Sequence, residues 1–336
     1  MSKAVEMKQV TKEFDGVIAN DHIDFDVGVG EIHGLLGENG AGKTTLMNIL
    51  YGIYSADEGE MYIHGHKVHS MSPGRAIQLG LGMVHQHFML IAPLTVTENI
   101  LIGLSSKKGF LDVKEAESKI SELSQAYGLK VDPNAKIWQL SAGERQRVEI
   151  LKTLYRGAKI LILDEPTSVL TPHETNELFQ TLRAMVSKGY SVVFITHKLN
   201  EVLSITDRIT VLRNGKWVAT LATKEATKEK LATMMVGREL LGPLVRTRRK
   251  KGRILIEVKQ LCALKDNLTP ALRGVTFGVS EGEILGIAGV AGNGQRELAE
   301  VIMGLRKATK GNVVFEGEDI TNRPTRRISQ KGLSYI

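Results

Sequence analysis

The chain has 336 residues, of which 42% are hydrophobic and only one is a cysteine. This length predicts about two domains, and the single Cys262 excludes an internal disulfide and fits a reducing cytosol. No uninterrupted apolar run approaches the roughly 18 residues of a membrane span, and the first residues lack the apolar segment of a signal peptide. The net charge of +7 is local, because six arginines and lysines lie within residues 246–253. This cluster of positive charge is better explained by a solvated linker than by contact with nucleic acid or lipid.

The first two thirds of the chain alternate between strand and helix patterns. Three segments predict strands of a covering antiparallel layer: 4–10, 22–27 and 61–68. Three apolar runs predict buried parallel strands: 31–36, 160–163 and 191–196. Apolar residues at helical spacing predict a helix over 113–127, and residues 224–236 predict a closing helix. This alternation indicates an α/β fold.

A phosphate-binding loop follows the strand predicted at 31–36. Its glycines let backbone N–H groups surround a phosphate, and the N-terminus of the next helix adds positive partial charge. The Lys43 ammonium can reach the β- and γ-phosphates, and the Thr44 hydroxyl can bind magnesium. The chain is therefore predicted to bind a nucleoside triphosphate. The nucleotide-binding residues are Gly37, Glu38, Asn39, Gly40, Ala41, Gly42, Lys43, Thr44 and Thr45.

Further polar residues follow at the ends of predicted elements. Gln86 lies in the segment Val84-His85-Gln86-His87, and Ser141 is well suited as the N-cap of a helix with Glu144 as its capping-box partner. The apolar run at 160–163 ends in Asp164 and Glu165. An aspartate here can hold a magnesium shell, and a glutamate can orient or deprotonate an attacking water.

His197 comes directly after the apolar strand predicted at 191–196. Its ring can donate a hydrogen bond to a γ-phosphate. An alternative use of histidine, a metal site, is suggested by His64 and His66 on one face of a predicted strand. No cysteine or acidic cluster completes a ligand set there, so a metal site is not expected.

In order and spacing, these elements resemble the ATP-binding domain of ABC transporters over residues 1–242. The resemblance implies a P-loop NTPase fold with an antiparallel β layer and a helical subdomain. It implies ATP and Mg²⁺ as cofactors, with Thr44, Gln86 and Asp164 around the magnesium. By the same resemblance Phe14 is the aromatic platform for adenine, and Glu165, His197 and Gln86 are the catalytic residues. The signature would comprise Ser141, Ala142, Gly143 and Glu144.

Two positions depart from the general pattern of that family. The signature usually reads Leu-Ser-Gly-Gly-Gln, whereas this chain has Ala142 and Glu144. The segment after the catalytic glutamate usually ends in aspartate, but here it ends in Thr171. Both departures resemble the first half of importers for simple sugars and nucleosides, and the segment around Gln86 most resembles the nucleoside branch.

The resemblance implies an energy-coupling ATPase, peripheral at the cytoplasmic face of the cell membrane. Its partners would be multi-span permease subunits, an extracytoplasmic solute-binding protein indirectly, and a second ABC domain of the same protein. The apolar segment 88–94 is either core or a surface that docks the permease. The alternative function is a soluble tandem ABC ATPase acting on ribosomes or nucleic acid. It is disfavoured because such proteins keep both phosphate loops intact, and no nucleic-acid partner is expected.

A basic linker at 243–253 precedes a second copy of the pattern, at 254–336. Residues 30–84 align with 282–336 at a constant offset of 252, with 16 identities, nine of them glycines. Because glycine marks tight turns, the two copies are predicted to share a backbone path. The second loop, Gly289 to Arg296, carries Gln295 and Arg296 in place of the lysine and threonine. We expect weakened or lost catalysis at that loop.

The repeat also predicts that the second domain is its N-terminal part only, since residue 336 aligns with residue 84. Such a half domain would leave an unfinished parallel sheet with an uncovered apolar face. In ABC pairs each nucleotide lies between the loop of one domain and the signature of the other. By that resemblance Ser141 would face Gln295, and the chain would bind Mg-ATP but hydrolyse it poorly unless two copies pair.

Overall fold

The computed structural model describes residues 2–104, 112–237, 252–266, 268–289 and 292–336. The chain divides into two compact units, Met1–Gly242 and Pro243–Ile336. Most of the predicted basic linker, 243–253, lies outside the described residues.

Strands and helices alternate through the first unit. Its strands are β1 (Lys3–Phe14), β2 (Val17–Gly28), β3 (Ile32–Leu36), β4 (Glu58–Ile63), β5 (His66–Val68), β6 (Leu81–Val84), β7 (Ile160–Asp164), β8 (Ser191–Thr196), β9 (Arg208–Arg213) and β10 (Lys216–Ala222). Its helices are α1 (Lys43–Tyr51), α2 (Pro73–Gln78), α3 (Val96–Leu101), α4 (Val113–Tyr127), α5 (Ala142–Tyr155), α6 (Pro172–Val186), α7 (Leu199–Ile205) and α8 (Lys228–Val236). Short 3₁₀ turns cover Ile137–Gln139 and Thr223–Glu225.

Two sheets form the framework of this unit. The antiparallel sheet has the order β2-β1-β4-β5, and the larger sheet has the order β10-β9-β3-β8-β7-β6. Strands β9, β3, β8, β7 and β6 run parallel, and β10 pairs antiparallel with β9. The α/β architecture with an antiparallel layer, predicted from the sequence, is confirmed.

The central strands are apolar throughout because both faces of the larger sheet are covered. Ile160 and Ile162 of β7 pack into a core with α1 and the antiparallel sheet, whereas Leu161 and Leu163 pack into a core with α5 and α6. Successive side chains of a strand point to opposite faces, so a strand buried on both faces must be apolar at every position. This burial fixes the carboxyl ends of the strands, where the polar site residues lie.

The helix predicted at 113–127 is confirmed as α4. The capping box predicted for Ser141 and Glu144 is also present: the Ser141 hydroxyl accepts from the Glu144 amide, and the Glu144 carboxylate accepts from the Ser141 amide. These reciprocal bonds satisfy two amides that a helix leaves unpaired at its N-terminus. They fix the residue at which α5 begins.

Two predicted elements are wrong in detail. The single strand predicted at 61–68 is a hairpin of β4 and β5, because His64 and Gly65 both have positive φ and form a two-residue turn between Ile63 and His66. His64 and His66 therefore do not share a strand face. The closing helix predicted at 224–236 begins at 228, where the Thr227 hydroxyl caps it by accepting from the Lys230 amide.

The second unit repeats the local structure of the first. It contains β11 (Ile254–Leu264), β12 (Pro270–Ser280), β13 (Lys310–Phe315), β14 (Glu318–Asp319), α9 (Gln295–Ile302) and α10 (Thr325–Gln330). Its sheet order, β12-β11-β13-β14, matches β2-β1-β4-β5 element by element. Helix α9 begins 252 residues after α1, as the aligned glycines predict.

Strand β3 of the first unit has no strand as its counterpart in the second. Residues 283–289 form no strand in the structure, and Ile284 and Ile287 expose 86% and 54% of their surface. In the first unit the aligned strand β3 pairs with β8 and β9, which lie more than 150 residues later in the chain. A β-strand is stabilised by backbone hydrogen bonds to neighbouring strands, so a segment without such neighbours is not held in that conformation. The expected parallel sheet of the second unit is therefore absent from the described residues.

Candidate nucleotide-binding site

The phosphate loop lies between the end of β3 and the start of α1. Gly42, the last loop residue, has φ +95° and its carbonyl accepts a hydrogen bond from Asn20 Nδ2 at 3.1 Å. A Cβ at this position would lie 2.4 Å from the Ala19 carbonyl oxygen. Only glycine combines this backbone conformation with so close an approach. The sequence analysis did not identify Asn20, which is fully buried and supports the loop from β2.

The Lys43 ammonium lies inside the phosphate loop. Its Nζ donates to the carbonyl oxygens of Gly37 and Glu38, both at 2.9 Å, and the residue is only 6% exposed. Burial lowers the pKa of Lys43, and the charges of Glu165 and Asp164 oppose that shift. A cation held among loop amides at a helix N-terminus is suited to a bound phosphate.

Thr44 and Asp164 meet next to this loop. The Thr44 hydroxyl donates to Asp164 Oδ2 at 3.0 Å, which joins the first turn of α1 to the end of β7. Burial raises the pKa of Asp164, which is 3% exposed, and the Thr44 hydrogen bond opposes this shift. A hydroxyl and a carboxylate oxygen match the ligands that Mg²⁺ prefers. This donor set fits Mg²⁺ held partly by substrate phosphates, and no group of three or more His, Cys, Asp or Glu that could hold a metal occurs among the described residues.

Glu165 accepts hydrogen bonds from the other two predicted catalytic residues. Gln86 Nε2 donates to Glu165 Oε2 at 3.2 Å, and His197 Nδ1 lies 2.7 Å from Glu165 Oε1. Glu165 also has a φ of +46°, a conformation uncommon for residues other than glycine. Residues with such a strained backbone conformation are often found at functional sites. The structure thus brings Gln86, Glu165 and His197 together beside Asp164.

The predicted adenine platform lies at the tip of the β1–β2 hairpin. Phe14 is 38% exposed, and its ring contacts Tyr54 edge-on with 5.2 Å between centroids. The neighbouring Ile18 is also half exposed, and the next residue, Ala19, touches Gly42 of the phosphate loop. An exposed aromatic ring near this loop can stack on a base. Tyr54 was not identified from the sequence.

The signature residues form their own cluster at the start of α5. Among the described residues no hydrogen bond joins Ser141, Ala142, Gly143 or Glu144 to Lys43 or Glu165. Gly143 instead lies against the Glu174 carboxylate, where a Cβ would come within 2.3 Å of Glu174 Oε1. The described contacts of the signature therefore run within α5 and to Glu174 of α6.

The two departures from the usual family pattern both preserve helix caps. Thr171 caps α6, where its amide and hydroxyl both donate to Glu174 Oε2 at 2.9 Å. Hydrogen bonds from Thr171 and from the Gly143 amide lower the pKa of Glu174. At the start of α5 the Glu144 carboxylate likewise accepts a hydrogen bond from the amide of the N-cap residue Ser141. Glu174 thus joins the signature to the segment after Glu165, a contact that the sequence analysis missed.

The described residues of the second loop repeat the backbone conformation of the first at Gly294 but carry different chemistry. Gly294 has φ +98°, and a Cβ there would lie 2.7 Å from the Ala271 carbonyl oxygen, as at Gly42 and Ala19. The Gln295 side chain lies against Gly289, where Lys43 contacts Gly37. Arg296 Nε donates to Glu300 Oε1 at 2.7 Å within its own helix. Loop residues 290 and 291 lie outside the described residues.

Comparison with known proteins identifies the family of this chain. The ABC transporter family profile matches residues 20–168 and again residues 272–336, so both copies of the repeat are recognised. The chain belongs to the ABC transporter family. ATP binding follows from this membership. Among the described residues no helix has the length and apolar character needed to cross a membrane.

Curated ABC relatives extend beyond the length of this chain. The glucose import ATP-binding protein TsgD13 of Haloferax volcanii, the nucleoside import ATP-binding protein NupA of Lactococcus lactis and the guanosine import ATP-binding protein NupO of Bacillus subtilis are each 46% identical to it. These alignments cover 99–100% of this chain and 66% of each relative. The chain therefore spans about two thirds of these relatives.

Solved ABC cassettes share the fold. The ADP conformation of the cassette MJ1267 has a TM-score of 0.63 at 24% identity and covers 71% of this chain and 100% of that cassette. The dimeric cassette MJ0796 has a TM-score of 0.58 at 28% identity and covers 65% of this chain and 98% of that cassette. The P-loop NTPase fold predicted from the sequence is confirmed.

Proposed function

We propose that this chain is the ATP-hydrolysing, energy-coupling subunit of an ABC import system for nucleosides or simple sugars. The observation that carries the proposal is the convergence of Gln86 and His197 on Glu165, directly beside the Thr44–Asp164 contact. Four segments far apart in the chain contribute these groups. The import ATP-binding proteins described above, at 46% identity, support the class of transported solute.

The arrangement suits attack of water on the γ-phosphate of ATP. Glu165 would orient the water and take its proton, while the bond from phosphorus to the β–γ bridging oxygen breaks and ADP leaves. Lys43 and the loop amides would hold the β- and γ-phosphates. His197 donates to Glu165 through Nδ1, so only the ring protonated at both nitrogens would also donate a hydrogen bond to the γ-phosphate through Nε2. Phe14 would stack on the adenine.

Thr44 and Asp164 would hold Mg²⁺, with Gln86 as the third protein ligand. When bound, Mg²⁺ neutralises charge on the phosphate oxygens. Because Gln86 also contacts Glu165, its position links nucleotide occupancy to the exposed segment that follows it. Met89 and Ile91 in that segment are 61% and 49% exposed, whereas Leu90 packs into the core. This pattern supports a docking surface for a multi-span permease at the cytoplasmic face of the membrane, with a solute-binding protein on the other side.

Binding of a fluorescent ATP analogue to the purified chain tests the nucleotide assignment. Lys43→Ala should weaken binding by at least about tenfold, because it removes a charge-assisted hydrogen bond to phosphate. The matched control is Gln295→Ala, at the aligned position of the second loop, which should change affinity little. Equal losses in the two variants would contradict binding at the first loop.

A role in import is tested by an experiment whose result does not depend on ATP hydrolysis. Co-purification with a multi-span membrane protein supports the importer, and co-sedimentation with ribosomes supports the alternative of a tandem ABC ATPase acting there. Removal of Met89 and Ile91 side chains, as Met89→Ser with Ile91→Ser, should abolish the membrane association and leave ATP affinity unchanged. Membrane association that survives this change would refute the proposed docking surface.

A further inference from the structure

Helix α5 holds both main-chain polar groups of Met89. The Met89 amide donates to Glu149 Oε1 at 2.5 Å, and Lys152 Nζ donates to the Met89 carbonyl oxygen at 3.1 Å. Glu149 and Lys152 are three residues apart and therefore lie on the same face of the helix. Met89 is 60 residues away in the sequence. Both polar groups of the Met89 backbone are thus hydrogen-bonded to α5, the helix that the signature residue Ser141 caps.

The neighbouring peptide is held in the same manner from another helix. Asn99 of α3 is 1% exposed, accepts from the Ile91 amide at 2.7 Å and donates to the Ile91 carbonyl oxygen at 3.1 Å. The segment that follows Gln86 is therefore anchored through its backbone at Met89 and Ile91, while those two side chains point to solvent. A segment fixed in this way moves with the helices that hold it.

Glu149 and Lys152 are not needed for packing alone. Glu149 is 4% exposed, and burial raises its pKa. Burial also lowers the pKa of Lys152. Burying the Glu149 carboxylate costs free energy that an apolar side chain of similar size would avoid, and Lys152 is partly buried beside it. A cavity of about 130 Å³ lies beside them, lined by His85, Met89 and Arg156 among others, so the region is not tightly filled.

We propose that Glu149 and Lys152 form a clamp on the Met89 peptide that positions Gln86 against Glu165 and couples this contact to the signature helix α5. The inference rests on the proposed ATPase function. Met89 is only three residues from Gln86, so a shift of its peptide changes the reach of the Gln86 side chain, which contacts Glu165 Oε2 at 3.2 Å. Glu149 and Lys152 are positioning residues, because neither touches the predicted nucleotide groups in the structure.

The clamp can be tested without nucleotide by hydrogen exchange of the peptide covering residues 86–91 in the full chain. Glu149→Ala removes the acceptor of the Met89 amide, so that amide should exchange about tenfold faster, as expected for one lost buried hydrogen bond. Glu149→Gln keeps an acceptor oxygen and should retain protection. The control is Thr153→Ala, on the same helix and the same cavity, because the Thr153 hydroxyl donates within α5 to the Ile150 carbonyl oxygen and not to the Met89 peptide. Unchanged exchange in Glu149→Ala, or equal acceleration in Thr153→Ala, overturns the clamp.

The link to Gln86 is tested by the kinetics of ATP hydrolysis. Glu149→Ala and Lys152→Met should each lower kcat by roughly tenfold or more, with KM for ATP changed by less than about twofold, because positioning and not binding is lost. In a Gln86→Ala background the same changes should have no further effect on kcat, whereas independent effects would multiply. If the effects on kcat multiply in the Gln86→Ala background, the link between the clamp and Gln86 is refuted. If the parent chain hydrolyses no ATP even at concentrations at which two copies pair, the proposed function fails, and the clamp is then judged on the exchange result alone.

Discussion

A buried carboxylate at the start of β3 allows a quantitative test of the structure. Glu31 is 8% exposed, and its carboxylate accepts from the Gly28 amide at 2.6 Å, from Arg208 Nε at 2.7 Å and from His33 Nδ1 at 3.1 Å. Burial alone would raise the pKa of Glu31, but the hydrogen bonds of His33 and Arg208 outweigh it and lower the pKa from 4.5 to about 2. The folded protein therefore favours the ionised carboxylate.

The sign and size of the effect on stability follow from this pKa. Because the folded pKa lies below the unfolded value, the contribution is complete above about pH 5 and is lost as the pH falls towards 2. At roughly 1.4 kcal/mol per pKa unit, the gap between 4.5 and about 2 is worth about 3 kcal/mol. About half of that should remain at pH 3. Glu31→Gln, which cannot ionise, should therefore be less stable by about 3 kcal/mol at pH 7 and approach the parent in acid.

Urea unfolding followed by tryptophan fluorescence gives the required free energies. The chain has two tryptophans, Trp138 and Trp217, and both lie in the first unit, so the signal reports the unit that contains Glu31. Glu117→Gln, a change at a partly exposed position of α4, is the matched control and should alter stability by less than about 0.5 kcal/mol. A difference between Glu31→Gln and the parent that stays constant from pH 7 to pH 3, or is absent at pH 7, would refute the argument.

Three further predictions concern the nucleotide site. Glu165→Gln should still bind ATP but hydrolyse it at least about 10²-fold more slowly, since it lacks the base, as steady-state phosphate release will measure; turnover at the parental rate would mean that another group accepts the proton. Gly42→Ala should lose most ATP affinity in the same fluorescence titration, because the new Cβ would lie 2.4 Å from the Ala19 carbonyl oxygen; Gly16→Ala, at an open position with φ +83°, controls for backbone strain alone. Glu174→Ala should lower the unfolding free energy by about 1 kcal/mol through loss of the α6 cap, and an unchanged urea midpoint would contradict that role.

Features determined by nearby residues could be predicted from the sequence. The apolar run at 160–163 is buried on both faces, and such a run can form only a central strand. Helix α5 could be placed to the residue because Ser141 and Glu144 bond reciprocally across one turn. The offset between the two copies was visible because glycines such as Gly42 and Gly294 occupy the same positive-φ positions.

Features that depend on distant contacts could not be predicted. The bonds of Glu149 to Met89 and of Glu174 to Gly143 join a side chain to a distant backbone, and such pairs leave no periodic pattern in a sequence. The turn at His64 and Gly65 was missed because its first residue is not the usual asparagine or aspartate. These errors are local, and none displaces a predicted site residue from the strand end that carries it.

The side chain of Lys43 has a kinetic consequence. Its ammonium bonds the Gly37 and Glu38 carbonyl oxygens, which ties the first residue of α1 back to the start of the phosphate loop. An arriving triphosphate therefore exchanges partners with a loop that is already shaped, and little chain entropy is lost during capture. Association should then be limited by diffusion and charge, and changes in the loop should alter mainly the rate at which nucleotide is released. The residues of the loop would therefore set the time for which nucleotide stays bound.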